Sequence, residues 1–267
     1  MNNIIAFFNQ NHQTFQSAVF LVVFLLCWSV EHLHGMMHVT GQRKHFVNNV
    51  LFSLAGALVQ VGIGIFFLKS IQFEQAYGFG LFHWLKIENP VYQLLITFVY
   101  LDFVYWLYHY LMHKIPFLWR FHAVHHSDTF LNVSTALREH PIETLIRLSQ
   151  YMLAVAILGP PLWLVSLHQF LQVISKIIVH SNFRVPDKTD RLLSYLLLTP
   201  NMHQVHHHYV QPYTDSNYGD LFSVWDRIFR TFRSLKKEQL VFGLDQYPEN
   251  TEKPDQWYKL LKRPFQS

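Results

Sequence analysis

Two groups of histidines carry the chemistry this chain could do. Residues 109–126 read HYLMHKIPFLWRFHAVHH, placing His109 and His113 at i, i+4 and His122, His125 and His126 at i, i+3, i+4. On an α-helix these offsets bring the imidazoles to one face. The second spacing recurs far downstream in His203, His206 and His207, followed by His208. Neutral imidazole is a good ligand for zinc, copper, iron and nickel. One HxxxH and two HxxHH clusters supply eight nitrogens, more than the about four that a single tetrahedral zinc takes. That number suits two metals with open positions, and His180 could add a ninth ligand. A lone i, i+4 pair is commonly incidental; HxxHH twice, with HxxxH just upstream of the first, is a poor fit to chance. Cys27 is the sole cysteine, which excludes an intrachain disulfide and a cysteine-based zinc site.

The remaining histidines read differently. His12, His32, His34, His38, His45 and His83 fall in loops or at span ends and are expected to be interfacial or solvated. His168 is expected to be a buried hydrogen-bonding group and His208 a neighbour of the second cluster. His140 stands either beside the ligands or in packing. Cys27 is expected to face lipid.

Something must bring the two clusters together, and composition points to a membrane scaffold. Apolar residues make up 51% of the 267-residue chain and charged residues 14%, against about 25% charged in an ordinary soluble domain. The 24 Phe, 13 Tyr and 7 Trp suit spans flanked by aromatic belts. The net charge of +4 is modest, and no basic stripe argues for nucleic acid. The first apolar run, residues 15–30, lacks a basic leader and cleavage site and is read as retained; Glu31, His32 and His34 end it. Residues 50–68 are uncharged and form the second span. The third begins at Pro90, a good first-turn residue, carries Asp102 inside it, and runs into His109. A carboxylate within a span is a functional candidate. Pro116 stops this helix and opens the next.

Residues 148–175 are again uncharged but are interrupted by Gly159, Pro160 and Pro161. A continuous helix there would rise about 42 Å and carry His180 and His203 to the far side from His126. Proline inside a helix is unfavourable by about 3 kcal/mol, so the Gly-Pro-Pro predicts a helical hairpin that keeps all the clusters on one side. The positive-inside rule agrees: with Arg43 and Lys44 cytoplasmic, Lys114, Arg120, Arg138, Lys176, Arg184 and Arg227 are cytoplasmic too. The fold expected is all-α: three spans plus a hairpin, with a cytosolic histidine-rich helical cap. A short amphipathic run at 190–198 precedes the second cluster.

Residues 102–143, DFVYWLYHYLMHKIPFLWRFHAVHHSDTFLNVSTALREHPIE, and 199–232, TPNMHQVHHHYVQPYTDSNYGDLFSVWDRIFRTF, resemble the fatty acid hydroxylase and sterol desaturase superfamily. The resemblance implies a non-haem di-iron centre at the cytosolic face of a helical membrane domain. It implies the ligands His109, His113, His122, His125, His126, His180, His203, His206 and His207. Hydroxylation, desaturation and ether-lipid cleavage with O2 and external electrons are the implied activities. Zinc can substitute for iron in purified protein. The three-residue spacer of HxxxH is similar to the sterol desaturase and alkylglycerol monooxygenase side. Lys176 stands where some members carry a further histidine, Tyr110 where Arg is common, and Arg230 where Gly is usual. Asp102, Asn132, Glu139, Asn217 and Asp226 are expected to orient the ligands. The implied organisation is membrane spans over 1–95, a histidine-box domain over 96–235 with its hairpin at 144–179, and a peripheral tail over 236–267. The expected partners are a membrane lipid substrate and a separate redox protein or small reductant. Two other classes fit less well: a metal hydrolase, for which no HExxH is present, and a metal-binding or transport protein, which needs histidines along a transbilayer path.

Overall fold

The computed structural model describes residues 2–35, 42–245 and 256–266. His38 lies outside the described residues, as do the side chains of His12 and His34. The described residues are mostly helical and include no strand, only two isolated β-bridges, Leu197 to Phe222 and His208 to Phe242. Five helices are long and apolar enough to cross a membrane: α1 (Asn2–His34), α2 (Gln42–Tyr77), α4 (Pro90–Lys114), α6 (Pro141–Leu158) and α7 (Leu162–Val179). The short helices are α3 (Leu81–Trp84), α5 (Pro116–His126), α8 (Asp187–Leu193), α9 (Pro200–His206), α10 (Val224–Ile228) and α11 (Trp257–Lys262). A 3₁₀ turn, Val133–Leu137, joins α5 to α6.

Local chemistry sets the helix ends. Pro90 occupies the first turn of α4, where the Asn89 side chain accepts from Val91 N–H at 2.9 Å. Proline lacks an N–H that would go unpaired there, so this start suits it. Ile115 is extended, and Pro116 opens α5 at a new angle. His140 caps α6, its Nδ1 accepting from Ile142 N–H at 3.1 Å. At the other end of α6, Gly159 adopts φ 69° in the left-handed region. A side chain there would meet Phe79 O at 2.7 Å, so the tip of the α6–α7 hairpin seats directly on the loop after α2.

The opposite end of the bundle is tied by buried polar groups. Glu31, near the end of α1, accepts from Val133 N–H at 2.7 Å and Asn182 N–H at 2.5 Å. His45, in the first turns of α2, bonds both oxygens of Asp128 at 2.7 and 2.8 Å. The long helices therefore alternate in direction, and the ends of α1, α4 and α7 and the starts of α2 and α6 gather where the histidines are. Leu58, Val61 and Phe66 on α2 are exposed while Asn49, Thr97 and Asp102 are fully buried. Apolar outside and polar inside is the arrangement lipid imposes.

Several expectations are corrected. Glu31 closes the apolar run, but α1 continues past it to His34, and its carboxylate is buried, accepting from two backbone N–H groups. His45 is not solvated but buried against Asp128, whereas His32 and His83 are exposed. Cys27 packs inward with Phe24, Val133 and Ile177 rather than toward lipid. The expected hairpin is present as a pair of membrane-length helices, so the three spans and the hairpin together give five candidate spans. The 190–198 run is helical only to Leu193. Near the C-terminus, Leu260 of α11 is buried against Phe52 and Val124, and His140 Nε2 donates to Leu261 O at 3.1 Å. His140 is thus a cap and a clasp for that end of the chain. His168 is buried beside Tyr151, whose hydroxyl lies 3.4 Å from its Nδ1.

Candidate metal centre

Four elements deliver nine histidines to one end of the bundle. The last two turns of α4 carry His109 and His113, and α5 carries His122, His125 and His126. His180 caps α7. His203 and His206 lie on α9, with His207 as its C-cap. Pro200 and the Thr199 hydroxyl, which accepts from Met202 N–H at 3.3 Å, start that helix.

The imidazoles sort into two groups. His109, His113, His122, His126 and His206 form one, and His125, His180, His203 and His207 the other; within each group the ring nitrogens lie within 4.8 Å of one another. Each HxxHH cluster is split between the groups. His125 joins the downstream histidines and His206 the upstream ones.

Most outward-facing ring nitrogens are held. Nδ1 of His109 donates to Tyr218 O at 3.0 Å, Nδ1 of His125 to Arg138 O at 3.0 Å, Nδ1 of His180 to Lys176 O at 2.6 Å and Nδ1 of His206 to Ser216 O at 2.7 Å. Nδ1 of His122 donates to Glu143 at 2.6 Å and Nδ1 of His113 to Asp215 at 3.3 Å. A proton fixed on Nδ1 leaves the Nε2 lone pair facing inward. Nε2 of His109 and His122 approach to 3.2 Å, and Nε2 of His125 and His180 to 3.1 Å. In both pairs the protons are committed to Nδ1, so two lone pairs face each other, which is repulsive unless a cation lies between. Two nitrogens each about 2.1 Å from one metal and about 90–110° apart are about 3.0–3.4 Å from each other. Nε2 of His113, both nitrogens of His126 and Nε2 of His206 are buried without a hydrogen-bond partner. This donor set fits two metal ions.

The charge state agrees. Burial, reinforced by the neighbouring imidazoles, holds His125, His126, His203 and His207 well below the usual histidine range. Burial likewise pushes His180 and His206 down to about 3. Neutral rings are the form that binds metal.

The residues expected to orient the ligands act at different removes. Asp226 accepts from Tyr218 N–H, Gly219 N–H and Trp106 Nε1 at 2.8, 2.9 and 3.1 Å, and so fixes the peptide whose carbonyl holds His109. Asp102 accepts from Leu221 N–H and Trp225 Nε1 at 3.0 and 2.7 Å, anchoring the same loop to α4. Asn217 ties Met202 O to Arg233, bracing α9. Asn132 caps the 3₁₀ turn by accepting from Ser134 N–H at 2.9 Å. Glu139 touches no histidine; it pairs with Arg147 and Lys176 at 3.0 and 2.9 Å. His208 stays outside both groups, its Nδ1 accepting from Val241 N–H at 3.2 Å. The direct carboxylate partners, Glu143 and Asp215, were not singled out from the sequence; the signal was an acid one turn into the helix that HPIE opens.

Behind α5 lies a buried polar platform. Burial alone would raise the Asp128 carboxyl, but His45 and Arg138 hold it well below the usual range. Arg138 donates to Val124 O and Ser127 Oγ, both at 2.9 Å, so the turn carrying His125 and His126 is fixed from below. On the other side, a cavity of about 510 Å³ runs from His109, His122, His125, His180 and His203 into the space among the long helices.

The profile of the fatty acid hydroxylase family matches residues 94–231, about half of the chain. The chain belongs to this family. It is 34% identical over 145 residues to an alkylglycerol monooxygenase of Caenorhabditis elegans, covering 54% of this chain and 28% of that protein. The human alkylglycerol monooxygenase is 31% identical over 160 residues, covering 59% and 34%. Ornithine lipid hydroxylase OlsE of Rhizobium tropici is 26% identical over 200 residues, covering 73% and 58%. The chain thus spans from about a quarter to under three-fifths of the lengths of these relatives. No solved structure matches it.

Proposed function

We propose that this protein is a membrane oxidoreductase that uses O2 to oxidise a C–H bond of a membrane lipid or sterol-like substrate, by hydroxylation or desaturation. The observation that carries the reading is the pair of buried histidine groups opening onto a cavity among membrane-length helices. The nine histidines would hold two iron ions, five on one and four on the other, and the relatives' names are those of lipid hydroxylases and monooxygenases. Bound iron supplies O2 activation, the chemistry that unactivated C–H bonds require and acid–base groups cannot provide.

The protein's own part is positioning and exclusion. Backbone carbonyls and two carboxylates aim the imidazoles, so the site is preorganised before a metal arrives. Glu143 makes His122 a stronger donor by accepting its Nδ1 proton. The cavity shelters the reacting carbon from water. Electrons come from a separate protein or a small reductant, and the clusters face the cytoplasm on the positive-inside argument.

The test is metal content and oxygen uptake of the purified protein. Close to two irons per chain and lipid-dependent O2 consumption, both lost in His125→Ala, are expected. Zinc in place of iron would reflect mismetallation. Activity that survives His125→Ala in metal-free protein would overturn the reading.

A further inference from the structure

The cavity that meets the histidines is lined with charge as well as hydrocarbon. Lys176 lies one turn before His180 on α7, and Arg147 one turn after Glu143 on α6; both line the cavity with Glu139 and Asp220. One helical turn is about 5.4 Å, so Lys176 lies about that far along α7 from His180, and Arg147 about that far along α6 from Glu143, the partner of His122. Leu137, Val173 and Ile177 complete the wall around them.

The carboxylates there are mostly engaged. Glu139 gives one oxygen to Arg147 Nε at 3.0 Å and the other to Lys176 Nζ at 2.9 Å. Asp220 accepts from Gln172 Nε2 at 2.6 Å, and Glu143 accepts from His122. The Lys176 ammonium has three donors and Glu139 as its hydrogen-bond partner. Its side chain keeps 37% exposure although it stands on a helix of the bundle. Unspent donor capacity at this level of the cavity is therefore at Lys176, while Glu143 Oε2 is an acceptor buried without a partner. A saturated hydrocarbon segment pressed against it would strip water from an ammonium and return no hydrogen bond, which is strongly unfavourable.

We propose that Lys176, with Arg147 behind it, binds an oxygen-bearing group of the substrate. The oxidised carbon then lies within about one to two helical turns, roughly 5–10 Å, of a hydroxyl, ether, carboxylate or phosphate oxygen. An unfunctionalised stretch in the middle of an alkyl chain is not the target. The inference rests on the proposed function insofar as it takes this cavity to be the substrate chamber. Lys176 thereby acquires two roles: its ammonium is tied to Glu139 and lines the cavity, while its carbonyl orients His180.

Equilibrium binding to the purified, metal-loaded full chain in detergent tests it, with three radiolabelled probes of equal chain length: 1-O-hexadecylglycerol, hexadecanoate and hexadecane. The wild type is expected to bind at least one oxygen-bearing probe about tenfold or more tightly than hexadecane, the worth of a hydrogen bond to a charged group. Which of the two it prefers separates a neutral from an anionic end group. Lys176→Met leaves the Glu139–Arg147 pair in place and is expected to erase most of that preference; Lys176→Arg is expected to restore it. Equal binding of hexadecane by the wild type, or a preference unchanged in Lys176→Met, would overturn the proposal. Iron is assayed on the same samples. A protein that keeps the binding preference but holds no iron and consumes no O2 would refute the proposed function and leave this inference standing.

Discussion

Replacing Glu143 tests the centre at its most exposed dependency. Its Oε1 accepts the Nδ1 proton of His122 at 2.6 Å, and both side chains are about 5% exposed. The other oxygen, Oε2, is buried without a partner. Glu143→Leu removes the acceptor and frees the His122 ring to rotate or change tautomer, so that Nε2 no longer presents a fixed lone pair. A hydrogen bond to a charged group is worth about 1.5–3 kcal/mol, which corresponds to about 10- to 150-fold in an equilibrium constant. Partners of this kind typically alter metal affinity by about 10- to 100-fold. Glu143→Gln keeps an acceptor but drops the charge, and is expected to lose about tenfold or less. Asp215 supplies an internal comparison. Its bond to His113 is longer, 3.3 Å, and it is shared with Lys114 at 2.5 Å, so Asp215→Asn is expected to fall below the effect of Glu143→Leu. The assay is iron retention against a chelator series on purified protein, read by elemental analysis, with thermal unfolding as a check on folding. Wild-type iron affinity in a folded Glu143→Leu protein would refute the view that this carboxylate sets the ligand.

Three further outcomes are expected. His126→Ala is expected to lower bound iron toward one per chain, because His126 belongs to the five-histidine group, whereas His208→Ala keeps the full complement; elemental analysis distinguishes them. Asp226→Ala strands three buried N–H donors and is expected to lower stability by about 2–5 kcal/mol, visible as a fall in Tm of metal-free protein with the bundle helices still present by circular dichroism. The metal-free fold is expected to be acid-sensitive. His180 and His206 are held near 3 when folded and titrate near 6.5 when unfolded. Their contribution is therefore intact above about pH 6.5 and lost as pH falls toward 3, at about 2 kcal/mol each by pH 5. A Tm of metal-free protein that stays flat from pH 7.5 to 5 would contradict their burial as neutral rings.

By itself the sequence determined the inventory of clustered histidines and the scaffold that carries it. Imidazoles at i, i+3 and i+4 need no long-range information to share a helix face, and uncharged runs of membrane length bury or face lipid whatever they pack against. The Gly-Pro-Pro at 159–161 made the hairpin readable for the same local reason. The partition of the rings was not readable. Neighbours His125 and His126 face different groups, as do His206 and His207, because α5 and α9 present adjacent residues about 100° apart and the two helices pack between the groups. Nor could sequence distinguish the carboxylate that touches a ring from one that fixes a loop. Glu139 and Glu143 are four residues apart, yet Glu143 reaches His122 while Glu139, just before the N-cap of α6, is drawn to Arg147 and Lys176. His45 looked like a solvated group in a loop or at a span end, and Glu31 like the end of an apolar run. Their burial follows from partners more than 80 residues away, Asp128 for one and the N–H groups of Val133 and Asn182 for the other. Tertiary packing made that decision, since a buried polar group requires a partner and only the folded chain supplies one.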